Sequence, residues 1–278
     1  MKQRGSPVIW HGAGPLNEGQ MNSYAEDGFI LLKNILSPAL IETLRSEVDL
    51  LRKGSYESII RERDETTVRS IFDAHNLNQM ISSQVVKNDQ LLDIAEQILG
   101  SGLYVHQCHV NFKRPGGGEF FWHSDFTFWY WEDGMPEPRV ISIFVFLDPA
   151  RTETGPLCVV PGSHKYITHP EWYRNVDDHN QAVRHDLVAN AKQNGLVDFE
   201  TLKKLSKESP IETVWGDPGD ILIMDGNLVH ASGPNFGVDE RRVLLLILNN
   251  VNNKIGEPNS GGHPRPHYIS ARTFEPVR

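Results

Sequence analysis

The stretch Glu119-Phe120-Phe121-Trp122-His123-Ser124-Asp125 sets an imidazole and a carboxylate two residues apart behind a run of aromatic side chains. In an extended strand, residues i and i+2 point to the same face, so His123 and Asp125 converge on one point. They make two corners of a two-His-one-carboxylate site, the arrangement that leaves three positions open on a non-haem Fe(II). The aromatic run would shield such a centre from bulk water. A chain with 12 His and 36 Asp plus Glu produces a His-x-Asp by chance, so the pair carries weight only with a third ligand elsewhere.

Working outward, the second half of the chain reads as short alternating or aromatic strands at 103–113, 119–124, 139–147, 157–160, 219–224 and 242–251. Gly and Pro separate them, notably Pro115-Gly116-Gly117-Gly118, Gly134-Met135-Pro136 and Pro161-Gly162-Ser163-His164. The first half is more helical. Residues 17–27 read as a short helix and 29–32 as a strand. Ser37 is an N-cap with Pro38 in the first position and Leu36 placed to staple against Ile41; Ile41, Leu44, Val48 and Leu51 form the apolar stripe, and Gly54 is a stop. Residues 89–99, closed by Gly100, give a second helix with Leu91, Ile94, Ala95 and Ile98 on one side. Residues 55–87 show no clear period. Helices followed by many strands predict an α+β fold with a mainly β core, a sandwich or jelly roll. The polar interval 166–212, with a helix around 198–207, interrupts the strands. It reads as a lid-like insertion over the open end of a single domain spanning 1–278.

Net charge −9 and a pI near 5.7 argue against nucleic acid or an anionic membrane surface as a main partner. Cys108 and Cys158 make no disulfide framework and point to a reducing compartment. The N-terminus lacks a signal-peptide apolar region, and the longest aliphatic run, Val243 to Leu248, is too short to span a bilayer. The expectation is a cytoplasmic protein, monomer or homodimer, acting on a small molecule.

His230 is the candidate third ligand. It follows the turn Asp217-Pro218-Gly219-Asp220, the strand Ile221 to Met224 and a tight connection through Asp225-Gly226-Asn227, on a strand 105 residues beyond Asp125. The plainer reading of a single such residue is a hydrogen-bonded structural histidine. Arg241 lies 11 residues after His230, at the entry of the apolar strand. A buried guanidinium fork is the planar partner of a carboxylate; the alternative is a surface arginine at a strand end. Arg242 is adjacent and faces the other way, so one of the two should face the core.

His123-x-Asp125, His230 and Arg241 together resemble the iron and 2-oxoglutarate dioxygenases. The wider pattern resembles the phytanoyl-CoA dioxygenase family and, within it, the ectoine hydroxylases. The residues that carry the likeness are Gln107-Cys108-His109-Val110-Asn111-Phe112-Lys113, Phe121-Trp122-His123-Ser124-Asp125-Phe126, Trp129, Glu132-Asp133-Gly134-Met135-Pro136, Gly155-Pro156-Leu157 and Pro161-Gly162-Ser163-His164. The likeness runs from about Leu16 to Asn250. It implies a cupin-like double-stranded β-helix with N-terminal helices packed on one sheet. It also implies Fe(II) bound by His123, Asp125 and His230, and O2 as the second cosubstrate. Arg241 and Ser232 would bind the distal carboxylate of 2-oxoglutarate, with Gln107 and Asn111 near the cosubstrate; being four apart, those two share a strand face. Trp129 matches the aromatic that cradles a small cationic ring, by cation–π attraction; core packing is its other reading. Asp125 itself favours hydroxylation, since related halogenases carry a small residue there. The departures, Cys108-His109, the aromatic Phe128 and Trp131, Ala231 and the 166–212 insertion, bear on the substrate and not on the iron ligands.

The crowd of rings from Phe121 to Trp131 implies a small pocket. A compact zwitterion, ectoine-like or a free amino acid, fits rings for its cation and a separate donor for its carboxylate. The same chemistry on an acyl-CoA or a larger natural-product intermediate is the second reading, and a metal-free binding protein on the same scaffold the third.

Overall fold

The computed structural model of this chain describes residues 2–4, 11–168 and 196–278. A two-residue strand, β1 (Lys2–Gln3), precedes the first helix. Asn17 accepts the Gln20 backbone N–H while the Gln20 side chain accepts the Asn17 N–H, and this reciprocal cap starts α1 (Glu18–Asp27), which leads into β2 (Phe29–Leu32). Ser37 caps α2 (Pro38–Arg52), with Leu36 and Ile41 both buried beside the cap. Residues 55–87 are structured after all: β3 (Ile59–Arg61), β4 (Val68–Phe72), and the short helices α3 (Ala74–Leu77) and α4 (Gln79–Ile81). Asn88 then caps α5 (Asp89–Leu99).

The sandwich strands follow as β5 (Leu103–Lys113) and β6 (Phe120–His123), the helix α6 (Asp125–Asp133), then β7 (Val140–Phe146), β8 (Leu157–Val159) and β9 (Tyr166–Ile167). After α7 (Phe199–Glu208) come β10 (Glu212–Val214), β11 (Ile221–Asp225), β12 (His230–Ser232) and β13 (Arg241–Asn250). Of the expected 166–212 insertion, residues 169–195 lie outside the described residues. α7 lies where a helix around 198–207 was expected, and β10, which starts at Glu212, pairs with β8 at one edge of the small sheet.

The strands form a seven-stranded sheet, ordered β2-β11-β7-β13-β5-β4-β3, and a four-stranded sheet, ordered β10-β8-β12-β6, with β1-β9 as a separate pair. All pairings are antiparallel. This is the expected jelly roll, and strand alternation explains its layers. On β5, Cys108, Val110 and Phe112 face outward with Ile143, Val145, Leu244 and Leu246, and α2 and α5 pack on them through Ile41, Leu44, Leu91 and Ile94. The opposite face of the same sheet, with Phe144, Leu222, Val243, Leu245 and Ile247, meets Leu157, Val159 and Val214 of the small sheet. The central strands are buried on both faces, which is why they read as continuous apolar runs. The next residues on the inner face of β5, Gln107, His109, Asn111 and Lys113, are polar. A polar row inside an apolar sandwich marks where the site lies.

Candidate active site

His123 ends β6 and His230 begins β12, and the two are register partners in the antiparallel pair. Their ring centroids are 4.1 Å apart. Asp125 completes the group: its Oδ1 is 3.4 Å from His123 Nε2 and its Oδ2 3.9 Å from His230 Nε2. Among the described residues this is the group of His, Cys, Asp or Glu able to hold a metal ion, with its ligand atoms within 4.8 Å of one another. Each imidazole is oriented by its other nitrogen. His123 Nδ1 donates to the Phe121 carbonyl at 2.6 Å and His230 Nδ1 to the Leu228 carbonyl at 2.9 Å, which leaves both Nε2 lone pairs facing the gap. Burial, with the neighbouring His123, brings His230 down to about 4, so it is neutral and ready to ligate. Burial works to raise the Asp125 carboxyl, but His230 and His123 outweigh it and hold the group below its usual value. Two imidazole nitrogens and one carboxylate oxygen fit a facial triad.

One expectation needs correction. The strand stops at His123, and Asp125 is the first residue of α6; only the extended Ser124 (φ −118°, ψ 124°) carries the alternation one step further. The aromatic segment after Asp125 is helical. Asp125, Phe128, Trp129 and Glu132 therefore line the cavity at i, i+3, i+4 and i+7, one face of a helix. Trp129 is buried, with its ring edge-to-face on His106 at 5.2 Å, and it also lines the cavity. The packing reading is thus shown, with one edge of the residue left on the cavity wall.

At the other end of the cavity, Arg241 faces inward and Arg242 outward, as alternation requires. Arg241 is buried and donates from Nη2 to Ser232 Oγ at 3.2 Å; its Nε has no hydrogen-bond partner among the described residues, and burial lowers its pKa to about 10. Arg242 pairs with Asp148 at 2.6 Å and Asp49 at 2.9 Å on the helix side. Gln107 and Asn111 line the same cavity; Gln107 Nε2 donates to the Ile269 carbonyl at 2.6 Å, and Asn111 Oδ1 accepts from Ser70 Oγ at 2.6 Å.

Sequence reasoning passed over three more residues here. His109 lines the cavity between Gln107 and Asn111, stacked on Phe72 at 4.5 Å, and burial pushes it down to about 4. Lys113 ends the polar row on β5 and reaches Ser232 and Gly233. Arg265 comes from the C-terminal segment, lines the cavity, and is gripped by Asp133 through two bonds of 2.9 and 2.6 Å. Asp133 also meets His106 Nε2 at 3.3 Å. His109 and Lys113 could have been found by extending the two-residue period of Gln107 and Asn111; Arg265 has no local signal. The cavity has a volume of about 240 Å³.

The family profile of phytanoyl-CoA dioxygenase (PhyH) matches residues 24–243. The ectoine dioxygenase of Nocardia farcinica is 32% identical, with 99% of this chain and 91% of that enzyme aligned. The ectoine dioxygenase of Bordetella bronchiseptica is 34% identical, over 99% of this chain and 90% of that enzyme. The crystal structure of EctD from S. alaskensis with 2-oxoglutarate and 5-hydroxyectoine superposes with a TM-score of 0.82 at 29% identity, covering 98% of this chain and 90% of that one. With a profile match over most of its length and relatives aligned end to end, this chain belongs to the phytanoyl-CoA dioxygenase family.

Proposed function

We propose that this chain is an Fe(II)- and 2-oxoglutarate-dependent hydroxylase that oxidises an unactivated C–H bond of a small zwitterion of the ectoine type, releasing succinate and CO2. The observation that carries the reading is the meeting of His123, Asp125 and His230 in one cavity with the inward-facing Arg241. Bound there, Fe(II) would supply the activation of O2 coupled to oxidative decarboxylation of the 2-oxo acid. The chain's own residues would do the rest. His123 and His230 hold the metal through Nε2, each fixed by its carbonyl, and Asp125 adds the anionic ligand. Arg241 and Ser232 orient the distal carboxylate of 2-oxoglutarate, with Gln107 and Asn111 alongside. Trp129 offers a ring face to the substrate cation, and Arg265, held by Asp133, is the separate donor that a substrate carboxylate needs. Phe120, Phe128 and Phe144 line the cavity and exclude water.

The known relatives favour ectoine itself, and a free amino acid has the same charges. An acyl-CoA or a large natural-product scaffold fits a cavity of about 240 Å³ poorly. The reading further takes 1–278 as one domain, in a cytoplasmic monomer or homodimer with no nucleic-acid partner. Among the described residues no helix is long and apolar enough to cross a membrane. The test is a mass-spectrometric screen of ectoine and amino acids with Fe(II), 2-oxoglutarate and air. A gain of one oxygen with equimolar succinate supports the reading; conversion of acyl-CoA or a bulky scaffold alone would transfer it to the second class.

A further inference from the structure

The three ligands are not held alike. His123 and His230 are each oriented by a carbonyl bonded to Nδ1, whereas among the described residues no hydrogen bond from outside the ligand group reaches the Asp125 carboxylate. Its direction is therefore set by its backbone. Asp125 opens α6, and the residue before it, Ser124, is the extended N-cap between strand and helix. A serine there ordinarily turns its hydroxyl onto the N–H groups of the first turn. Ser124 makes no such bond and instead donates from Oγ to Asn227 Oδ1 at 3.1 Å. On the other side of Asp125, the Phe126 N–H donates to the Gly226 carbonyl at 2.7 Å. Both tethers thus run to one turn, Asp225-Gly226-Asn227, which joins β11 to the strand that begins with His230.

Asn227 spends its whole side-chain amide in this joint. While Oδ1 accepts from Ser124, Nδ2 donates to the His164 and Tyr166 carbonyls, both at 2.9 Å, and the Asn227 backbone N–H donates to Asp225 Oδ1 at 2.8 Å. Ser124 and Asn227 are fully buried, and so is Asp225, which pairs with Arg4 at 3.0 Å. Gly226 lets the turn close in, since a Cβ there would sit 2.6 Å from Val140 Cγ1 and 2.8 Å from the Trp129 ring. A buried amide with both ends satisfied is a rigid link, because moving it strands a polar group away from water. One side chain therefore ties the junction that carries Asp125 to the segment before His230 and to the chain at 164–166.

We propose that Asn227 is a positioning residue for Asp125. Through Ser124 it fixes the direction of the one ligand whose side chain has no brace of its own. It also holds that ligand in place relative to His230, three residues further along the chain from Asn227. The link explains why Ser124 forgoes its cap. This rests on the metal-site reading above.

The test is Co(II) binding to the metal-free full chain under argon, read as Kd and as the ligand-field absorption of the bound ion, beside denaturant melts of the same proteins. Ser124→Ala deletes one hydroxyl. It is expected to raise Kd about tenfold and to shift the absorption toward that of Asp125→Ala. Asn227→Ala is expected to weaken binding at least as much, and where it does not fold Ser124→Ala carries the test. In the Asp125→Ala background, Ser124→Ala is expected to change Kd by less than about twofold, since the ligand it acts through is gone. An equal loss in both backgrounds would place the effect in His230 or in the fold at large and overturn the assignment. A lower denaturation midpoint with an unchanged Kd would reduce the link to packing and overturn it too. If the wild-type chain binds no Co(II), the metal-site reading itself fails and the assignment falls with it.

Discussion

His230 stands directly opposite His123 across the β6–β12 pair, and the ring nitrogen of each that faces away from the gap is tied to a carbonyl two residues before it. The site is therefore set by backbone register: a shift of one residue would send one imidazole to the other face of the small sheet. We expect His230→Ala to lower Fe(II) affinity about a hundredfold or more while leaving the fold intact, since its neighbours on β12 keep their pairing. Metal analysis after dialysis reads this directly, and stoichiometric iron in the variant would remove His230 from the ligand set.

Arg241 and Arg242 offer a paired experiment on adjacent residues. Arg241→Lys keeps a charge but loses the fork, and should raise the Kd for 2-oxoglutarate about tenfold. Arg242→Lys breaks its geometry with Asp148 and Asp49 on the helix side, so it should lower thermal stability and leave cosubstrate affinity alone. The reverse pattern would place the wrong arginine in the cavity.

The metal-free protein should lose stability as pH falls from neutrality. His109 and His230 are both brought down to about 4, burial being the first cause in each. An imidazole in the unfolded chain titrates near 6.5, so between 6.5 and about 4 the unfolded state binds protons that the folded state refuses, and stability drops with pH. His106 and His164, also lowered by burial, act in the same sense. For His109 and His230 the loss between pH 7 and pH 5 is about 2 kcal/mol each. Denaturant melts of His109→Asn at the two pH values should show a loss smaller by about that amount; an identical loss would mean that His109 is protonated in the folded state.

How much of this was legible in the sequence depends on how local each signal is. The cap at Ser37, the stop at Gly100 and the alternation along 103–113 are short-range, and the elements they announce have the expected ends. β3 and β4 went unseen because they are short and turn Arg69 and Ser70 inward, so no apolar period marks them. The segment after Asp125 was given no element from the sequence. Phe, Trp and Tyr favour strands by propensity, yet Asp125, Phe128, Trp129 and Glu132 carry a helical period, and Gly134, left-handed at φ 65°, ends the helix. Lys113 was hidden by a habit of expectation, since a lysine at a strand end is usually solvated. Arg265 could not be read at all: its place follows from a long-range pairing with Asp133 in a segment without regular structure.

Trp129 separates packing from recognition. Its ring fills the core beside Phe126 and Met135, meets His106 edge-on, and closes against Gly226, where a Cβ would come within 2.8 Å of the indole. Trp129→Ala should therefore cost about 3–5 kcal/mol of stability as well as substrate affinity, and it cannot by itself tell the two apart. Trp129→Leu keeps an apolar filler while removing the π face. If the indole face holds the substrate cation, this variant should melt only a few degrees lower and bind Fe(II) and 2-oxoglutarate as before. Its KM for the zwitterionic substrate should rise about tenfold, the worth of a desolvated cation–π contact of roughly 1–2 kcal/mol. Succinate formed without substrate should stay at the wild-type level, because neither the metal ligands nor the carboxylate end is touched. An unchanged KM in Trp129→Leu would return the residue to the core, and the cation would then have to be met elsewhere in the cavity, where Glu132 already lies one turn further along the same helix face.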